Sequence, residues 1–364
     1  MRFSLSRQAA ACLASTVLLA LATSPSFAQE LLAFGRRGGD CPPAPCPAPT
    51  TERPITPTPT TPTTPTPTVT EPSPLLPDTL ASAVGGEGVA LASSSVGYID
   101  PALPQTMFRF RFDAAYRNNR PDRAEFFYAK CGCFRNAIPP DPNAAGPPLT
   151  ETRVDYQDFA SYLEVAYNNR VSGFVEIPVR LLNPERNNNT SGLADMNAGF
   201  KVAMIACEDT VFTFQFRTYI PTGDSDRGLG TDHVSLEPGL LLLQRLGERL
   251  VLEAEFKDWV PVGGSDFAGN VLRYGVGLSY QLGRCGGARI APVAEFVGWT
   301  VLDGKESDFT GATRDAAGDT IVNAKLGVRL GLGDYNSLYV GYGRALTGDV
   351  WYKDIVRVEY RVAF

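Results

Sequence analysis

The 364-residue chain sets 33 Lys and Arg against 39 Asp and Glu, with one His and 44% hydrophobic residues, for a formal charge of −6. A net-acidic chain of this kind lacks the basic footprint of a nucleic-acid binder. Beyond the N-terminal stretch no run approaches the roughly 18 consecutive apolar residues of a spanning helix, so any membrane crossing here is made by strands.

Arg2 and Arg7 precede an apolar run from Ala9 to Ala22, and Ser26-Phe27-Ala28 closes it with small residues, the pattern of a secretory signal cleaved before Gln29. The run is shorter than the ~20 residues a membrane anchor needs. Acylation is not expected, since Cys12 lies inside the run and Cys41 far beyond it. Cleavage removes two arginines and no acids, which takes the charge from −6 to −8. Export permits disulfides. Cys41 and Cys46 flank a proline-rich tetrapeptide, so a bridge between them, pairing to another molecule and free thiols all remain open. Cys131 and Cys133 have an awkward spacing for an internal bridge, and Cys207 and Cys285 stand alone. No His/Cys cluster completes a zinc site, so neither metal nor cofactor is expected.

Residues 29–78 form a Pro/Thr-rich arm: 14 of the chain's 29 prolines fall between 42 and 77. Such a segment reads as a disordered tail or an extended polyproline spacer, with reach from the periplasm towards the cell wall. Residues 79–106 are small and Gly/Ser-rich, ending in Tyr98-Ile99-Asp100-Pro101. They fit either a surface linker or a plug folded into a barrel mouth.

From Met107 the chain alternates. Phe108, Phe110 and Phe112 oppose Arg109, Arg111 and Asp113, and a period of two is a strand. The same pattern recurs at 193–206, 210–220, 250–260, 271–282 and 321–332. Weaker versions lie near 156–167, 171–182, 234–245, 289–301 and 337–346. The last strand is the cleanest, with Val356, Val358, Tyr360, Val362 and Phe364 alternating with Arg357, Glu359 and Arg361. This gives about twelve strands joined alternately by short turns and longer loops, so the reading is an all-β, antiparallel transmembrane β-barrel over 107–364. The short-turn side, carrying both termini, is expected to face the periplasm. The strand between 107 and 116 is expected to pair with the last one.

The make-up of the two faces decides for a membrane barrel over a soluble one. Charges of both signs share one face while the other is dense in Phe, Leu, Val and Tyr, the inverse of a soluble barrel. Trp259, Trp299, Trp351, Tyr352 and Tyr342 fall near strand ends and are expected to form an interfacial girdle. Alternation then assigns to one lumen Arg109, Arg111, Glu164, Glu176, Arg180, Lys201, Arg217, Glu237, Glu253, Glu255, Lys257, Arg273, Glu295, Lys325, Arg329 and Arg361. In a twelve-stranded barrel these charges either line a narrow aqueous path or pair into a ladder that closes it.

His233 and Ser235 stand two apart on one strand face and resemble the arrangement of outer-membrane phospholipases. A lipid-cleaving site must face the bilayer, whereas the register puts both on the lumen side with Glu237, so no catalytic residue is expected. Asp224, Asp226 and Asp232 read as turn chemistry rather than a calcium loop.

Two resemblances add to this. The terminal row Tyr360, Val362 and Phe364 resembles the signal by which outer-membrane barrels are handed to their assembly machinery. The stretch from Gly192-Leu193-Ala194-Asp195 through Lys201, with Pro221-Thr222-Gly223-Asp224 and Gly228-Leu229-Gly230-Thr231, is similar to the phenol-degradation MetA-pathway type outer-membrane barrels. It covers roughly residues 190–300 and implies a transporter-like protein passing small, aromatic or apolar molecules. The expected partners are thus outer-membrane lipids, assembly machinery and a small solute. The runner-up is a structural or adhesive barrel with a closed lumen, and more remotely an outer-membrane hydrolase.

Overall fold

A computed structural model describes residues 94–282, 284, 285, 288–308 and 310–364. The signal segment, the Pro/Thr arm, Cys41 and Cys46 lie outside the described residues. Twelve strands form the wall: β1 Met107–Asn118, β2 Val154–Ala166, β3 Val171–Pro184, β4 Met196–Ala206, β5 Thr210–Ile220, β6 Val234–Leu246, β7 Leu250–Val262, β8 Val271–Tyr280, β9 Ala288–Val301, β10 Thr320–Leu332, β11 Asn336–Ala345 and β12 Asp354–Ala363. Each pairs antiparallel with its neighbours in sequence. The ring closes between β1 and β12, where Met107 faces Ala363, Phe110 faces Tyr360 and Ala114 faces Val356. All twelve strands fall where the alternation placed them. The largest offset is at the start of β4, where Thr190–Leu193 forms its own short strand against β3. Between it and β4, Asp195 turns the chain by accepting the backbone N–H groups of Gly223 and Thr231 at 3.0 and 2.9 Å.

The faces divide as a bilayer requires. Phe108, Phe110, Leu163, Phe200, Phe256, Phe296, Val340 and Tyr360 point outward and are exposed, while Glu164, Lys201, Lys257 and Glu359 are buried inside. Strands of 10 to 14 residues suffice for a tilted crossing. Both β1 and the C-terminal Phe364 begin and end at the side of the short turns, such as 247–249 and 333–335.

The girdle expected from the aromatics is corrected for four of them. Trp259, Trp299, Trp351 and Tyr352 are buried in the interior, and of the five only Tyr342 faces outward. The reason lies in the strand period: positions that place Lys257 and Glu295 inside place Trp259 and Trp299 inside as well.

At the long-loop end, residues 119–153 fold back over the mouth. Phe126 stacks on Trp351 at 4.5 Å and meets Trp259 edge-on at 5.1 Å, and Phe127 packs on Tyr156 at 4.4 Å. Glu306 clamps this loop to the 302–319 loop by accepting from Arg120 at 3.1 Å and also from Arg123 and Arg314. Lys130 bridges Asp141 at 3.0 Å and Asp266. The spacing argument against an internal C-x-C bridge fails here. Cys131 and Cys133 are disulfide-bonded, because the tight 3-10 turn at Gly132–Asn136 leaves their Cα atoms 5.2 Å apart, within ordinary bridging distance. Cys207, read as isolated, is disulfide-bonded too.

Candidate functional site: a lumen filled by its own chain

Residues 94–106 run inside the barrel. Ser94 and Ser95 stand at the short-turn end, beside Asp334, Asn336 and Arg361 around a cavity of about 60 Å³. The segment climbs to an apex at Tyr98, Ile99 and Asp100, then returns to the same end. There the Thr106 carbonyl accepts from the Phe364 N–H at 3.0 Å, just before β1 begins. It has no helix or ladder of its own.

A buried backbone without a ladder must find partners elsewhere. The inward charges supply them. Glu253 accepts the Ser95 N–H at 3.0 Å, Glu295 accepts Gly97, Tyr98 and Ile99 at 3.0, 2.9 and 3.2 Å, and Glu255 accepts Asp100 at 3.1 Å. The cations take the carbonyls: Arg361 donates to Ser94 at 3.0 Å, Arg329 to Ser95 and Val96 at 2.9 and 2.8 Å, Arg273 to Tyr98 at 3.0 Å and Lys201 to Pro101 at 2.9 Å. One wall thus satisfies both polarities of one chain.

The remaining charge is paired along the inner wall, between adjacent or next-adjacent strands. Arg109 and Arg111 share Glu176 at 2.9 and 3.2 Å, Lys201 meets Glu164 at 2.9 Å, Arg273 meets Glu255 at 2.8 Å and Arg217 lies 3.6 Å from Glu237. Arg329 meets Glu359 at 2.7 Å and Arg180 meets Asp158 at 2.8 Å. Lys325 sits over the Tyr98 ring at 3.7 Å and donates to the Tyr352 hydroxyl at 2.8 Å. Every charged position that alternation assigned to the lumen therefore lies on the inner wall, with the pairs set around the inserted segment rather than along an empty bore.

Between the apex and the inturned Phe126 and Phe127 lies a cavity of about 240 Å³, lined among others by Tyr98, Asp100, Arg109, Arg180, Arg217, Trp259 and Trp299. Sequence reasoning missed Asp100 as a lumen charge, because nothing periodic marks it. Asp113 and Asp158 stand on the inner faces of β1 and β2 and were open to the same alternation argument that found Arg109. Glu306 sits in a loop and left no local signal.

His233, Ser235 and Glu237 are buried on the lumen side, away from lipid. The His233 Nδ1 lies 2.9 Å from the Thr231 carbonyl and 3.6 Å from Glu125 in the inturned loop, so this histidine sits where loop meets wall. Asp226 pairs with Arg135 at 3.1 Å, and Asp224 opens the short turn Ser225–Arg227.

The loop clamp carries a pH dependence of its own. Asp122 is buried beside Ser307 and Glu306, and burial, with the Glu306 charge adding to it, pushes its carboxyl up to about 6. The folded loop then binds this proton more tightly than an unfolded one. The stabilisation is full below the ordinary carboxylate value and is lost as pH rises through about 6. Proteolysis of the 119–153 loop is expected to slow by up to about tenfold per pH unit from 6 towards 4, beyond whatever the Asp122→Asn variant shows. Identical pH profiles for the two proteins would sink this assignment.

No family model matches the chain, and no curated protein matches it. Among solved structures it is similar to an outer membrane channel from Pseudomonas putida F1, at 12% identity over 71% of this chain and 96% of that one, with a TM-score of 0.46. It is also similar to the KdgM porin, at 8% identity over 71% and 99% of the two chains with a TM-score of 0.38. The beta domain of the Bordetella autotransporter BrkA is similar at 14% identity over 71% and 100%, with a TM-score of 0.41.

Proposed function

We propose that this protein is an outer-membrane channel for small molecules that its own residues 94–106 hold shut. One observation carries the reading. The obstruction is a segment bonded to the wall through side chains, so it can leave without breaking a strand pairing of the ring. The chamber of about 240 Å³ beyond the apex is the space a solute meets first from the long-loop side. In this reading the short turns, the N-terminal arm and Phe364 face the periplasm, residues 42–77 reach towards the cell wall, and the Tyr360, Val362 and Phe364 row is the mark for assembly. The resemblance to MetA-pathway type barrels supports a small aromatic or apolar solute as cargo.

The density of bonds between wall and segment favours a second reading, a structural barrel that never opens. Planar-bilayer recordings with solute uptake by proteoliposomes separate the two. A channel shows infrequent openings and slow uptake. Silence both from the parent protein and from a barrel freed of residues 94–106 leaves only the structural reading.

A further inference from the structure

The apex residue Asp100 is held as a ligand would be. Its carboxylate Oδ2 accepts from Arg217 Nη2 at 2.7 Å, from Gln215 Nε2 at 3.3 Å and from Lys257 Nζ, and Oδ1 lies 3.8 Å from Arg109 Nη1. Arg109, Gln215, Arg217 and Lys257 are each at least nine-tenths buried and come from three strands, β1, β5 and β7. Without Asp100, Arg217 keeps Glu237 at 3.6 Å and the Tyr219 hydroxyl at 3.5 Å, and Lys257 keeps Glu237 at 3.8 Å and Glu255, shared with Arg273, at 3.1 Å. The buried Arg217 Nε has no hydrogen-bond partner even with Asp100 present. Both buried cations thus take their closest carboxylate contact from Asp100 rather than from the wall, and a buried charge that loses its best partner is costly.

We propose that the barrel wall contains a carboxylate-binding site, that Asp100 fills it as an internal ligand, and that a carboxylate-bearing solute displaces Asp100 and releases the segment. This rests on the channel reading and names its cargo class. Asp100, Arg109 and Arg217 all border the larger cavity, so an incoming anion reaches the same nitrogen atoms from the long-loop side. Phe126, Phe127, Tyr156, Tyr219 and Trp259 line that cavity too and offer ring faces to an apolar or aromatic body behind the carboxylate. Competition at one site provides the differential affinity a gate needs: the solute binds the released state and Asp100 binds the closed one.

The probe is benzoate, with benzyl alcohol as its uncharged counterpart, added to the full-length protein. Benzoate is expected to raise time-averaged current about tenfold in the parent, with benzyl alcohol inert. By calorimetry in detergent, the Asp100→Asn variant is expected to bind benzoate at least about tenfold more tightly than the parent, and an added Arg217→Gln change is expected to abolish that binding. Should Asp100→Asn fail to fold, the barrel lacking residues 94–106 presents the same cations and takes its place. No benzoate binding to either opened form, or equal binding of benzyl alcohol, overturns the site. Binding without any rise in parent current overturns the displacement. Current from the shortened barrel with no benzoate effect leaves the channel reading standing alone, whereas a silent shortened barrel removes the channel while the calorimetry still decides the site.

Discussion

Excising residues 94–106 is expected to raise the time-averaged current through the barrel by at least roughly tenfold. The ring itself should survive. None of the removed residues belongs to a strand, and closure rests on the β1 to β12 ladder, which begins at Met107 and Ala363. What the excision exposes is a set of side chains now bonded to the segment: Glu253, Glu255 and Glu295, with Arg273, Arg329 and Arg361 interleaved among them on β8, β10 and β12. Buried without partners these groups would be costly, but the vacated bore admits water, and a hydrated charge carries no such penalty. Twelve strands lie between the eight-stranded barrel that side chains fill and the sixteen-stranded porin with an open channel. A continuous path therefore requires that the segment be gone. Heat-modifiable migration of the shortened protein checks that the barrel still forms, and bilayer recordings read the current. A folded, shortened barrel with the parent's current would show that residues 94–106 do not hold the bore shut, and silence from both would leave only the structural reading.

How far the sequence led follows from the range of each interaction. Strand alternation is written within ten residues, so β12 was legible down to the outward Tyr360 and the inward Glu359. Pairing of β1 with β12 followed from ring closure, though 250 positions separate Phe110 from Tyr360. The inserted segment was legible only as one of two options, because its partners lie across the whole chain. Ser94 and Arg361 are 267 residues apart, and Gly97 and Arg357 are 260 apart. No local period records such contacts. The tryptophans failed in the opposite way. Trp259 and Trp299 obey the alternation, which outweighs the general preference of aromatics for the interface, and the residues belong to the interior with Phe126 and Tyr352. The Cys131 to Cys133 bridge depends on the local turn at Gly132–Asn136, a geometry that cysteine spacing does not encode.

Replacing Glu295 with Ala tests the attachment of the segment without shortening the chain. Its two carboxylate oxygens accept three consecutive backbone N–H groups, those of Gly97, Tyr98 and Ile99, and the Tyr339 hydroxyl at 3.1 Å. No other wall residue accepts so many donors from the segment among the described residues. Each buried N–H left without an acceptor costs about 1–3 kcal/mol, so the apex loses on the order of 3 kcal/mol even if one donor finds water. At about 1.4 kcal/mol per factor of ten, the equilibrium between inserted and released segment shifts roughly 100-fold towards release. The wall loses far less, because Glu295 faces Lys325 across the β9 to β10 ladder and Lys325 is held by Tyr98 and Tyr352. Glu295→Gln keeps one acceptor oxygen and should fall between. The expected results are faster protease cleavage within 94–106 and a rise in current in the order parent, Gln, Ala, with little change in the barrel's melting temperature. Equal cleavage rates in all three proteins would mean that the arginines facing the carbonyls, Arg329 and Arg361, retain the segment without the carboxylate.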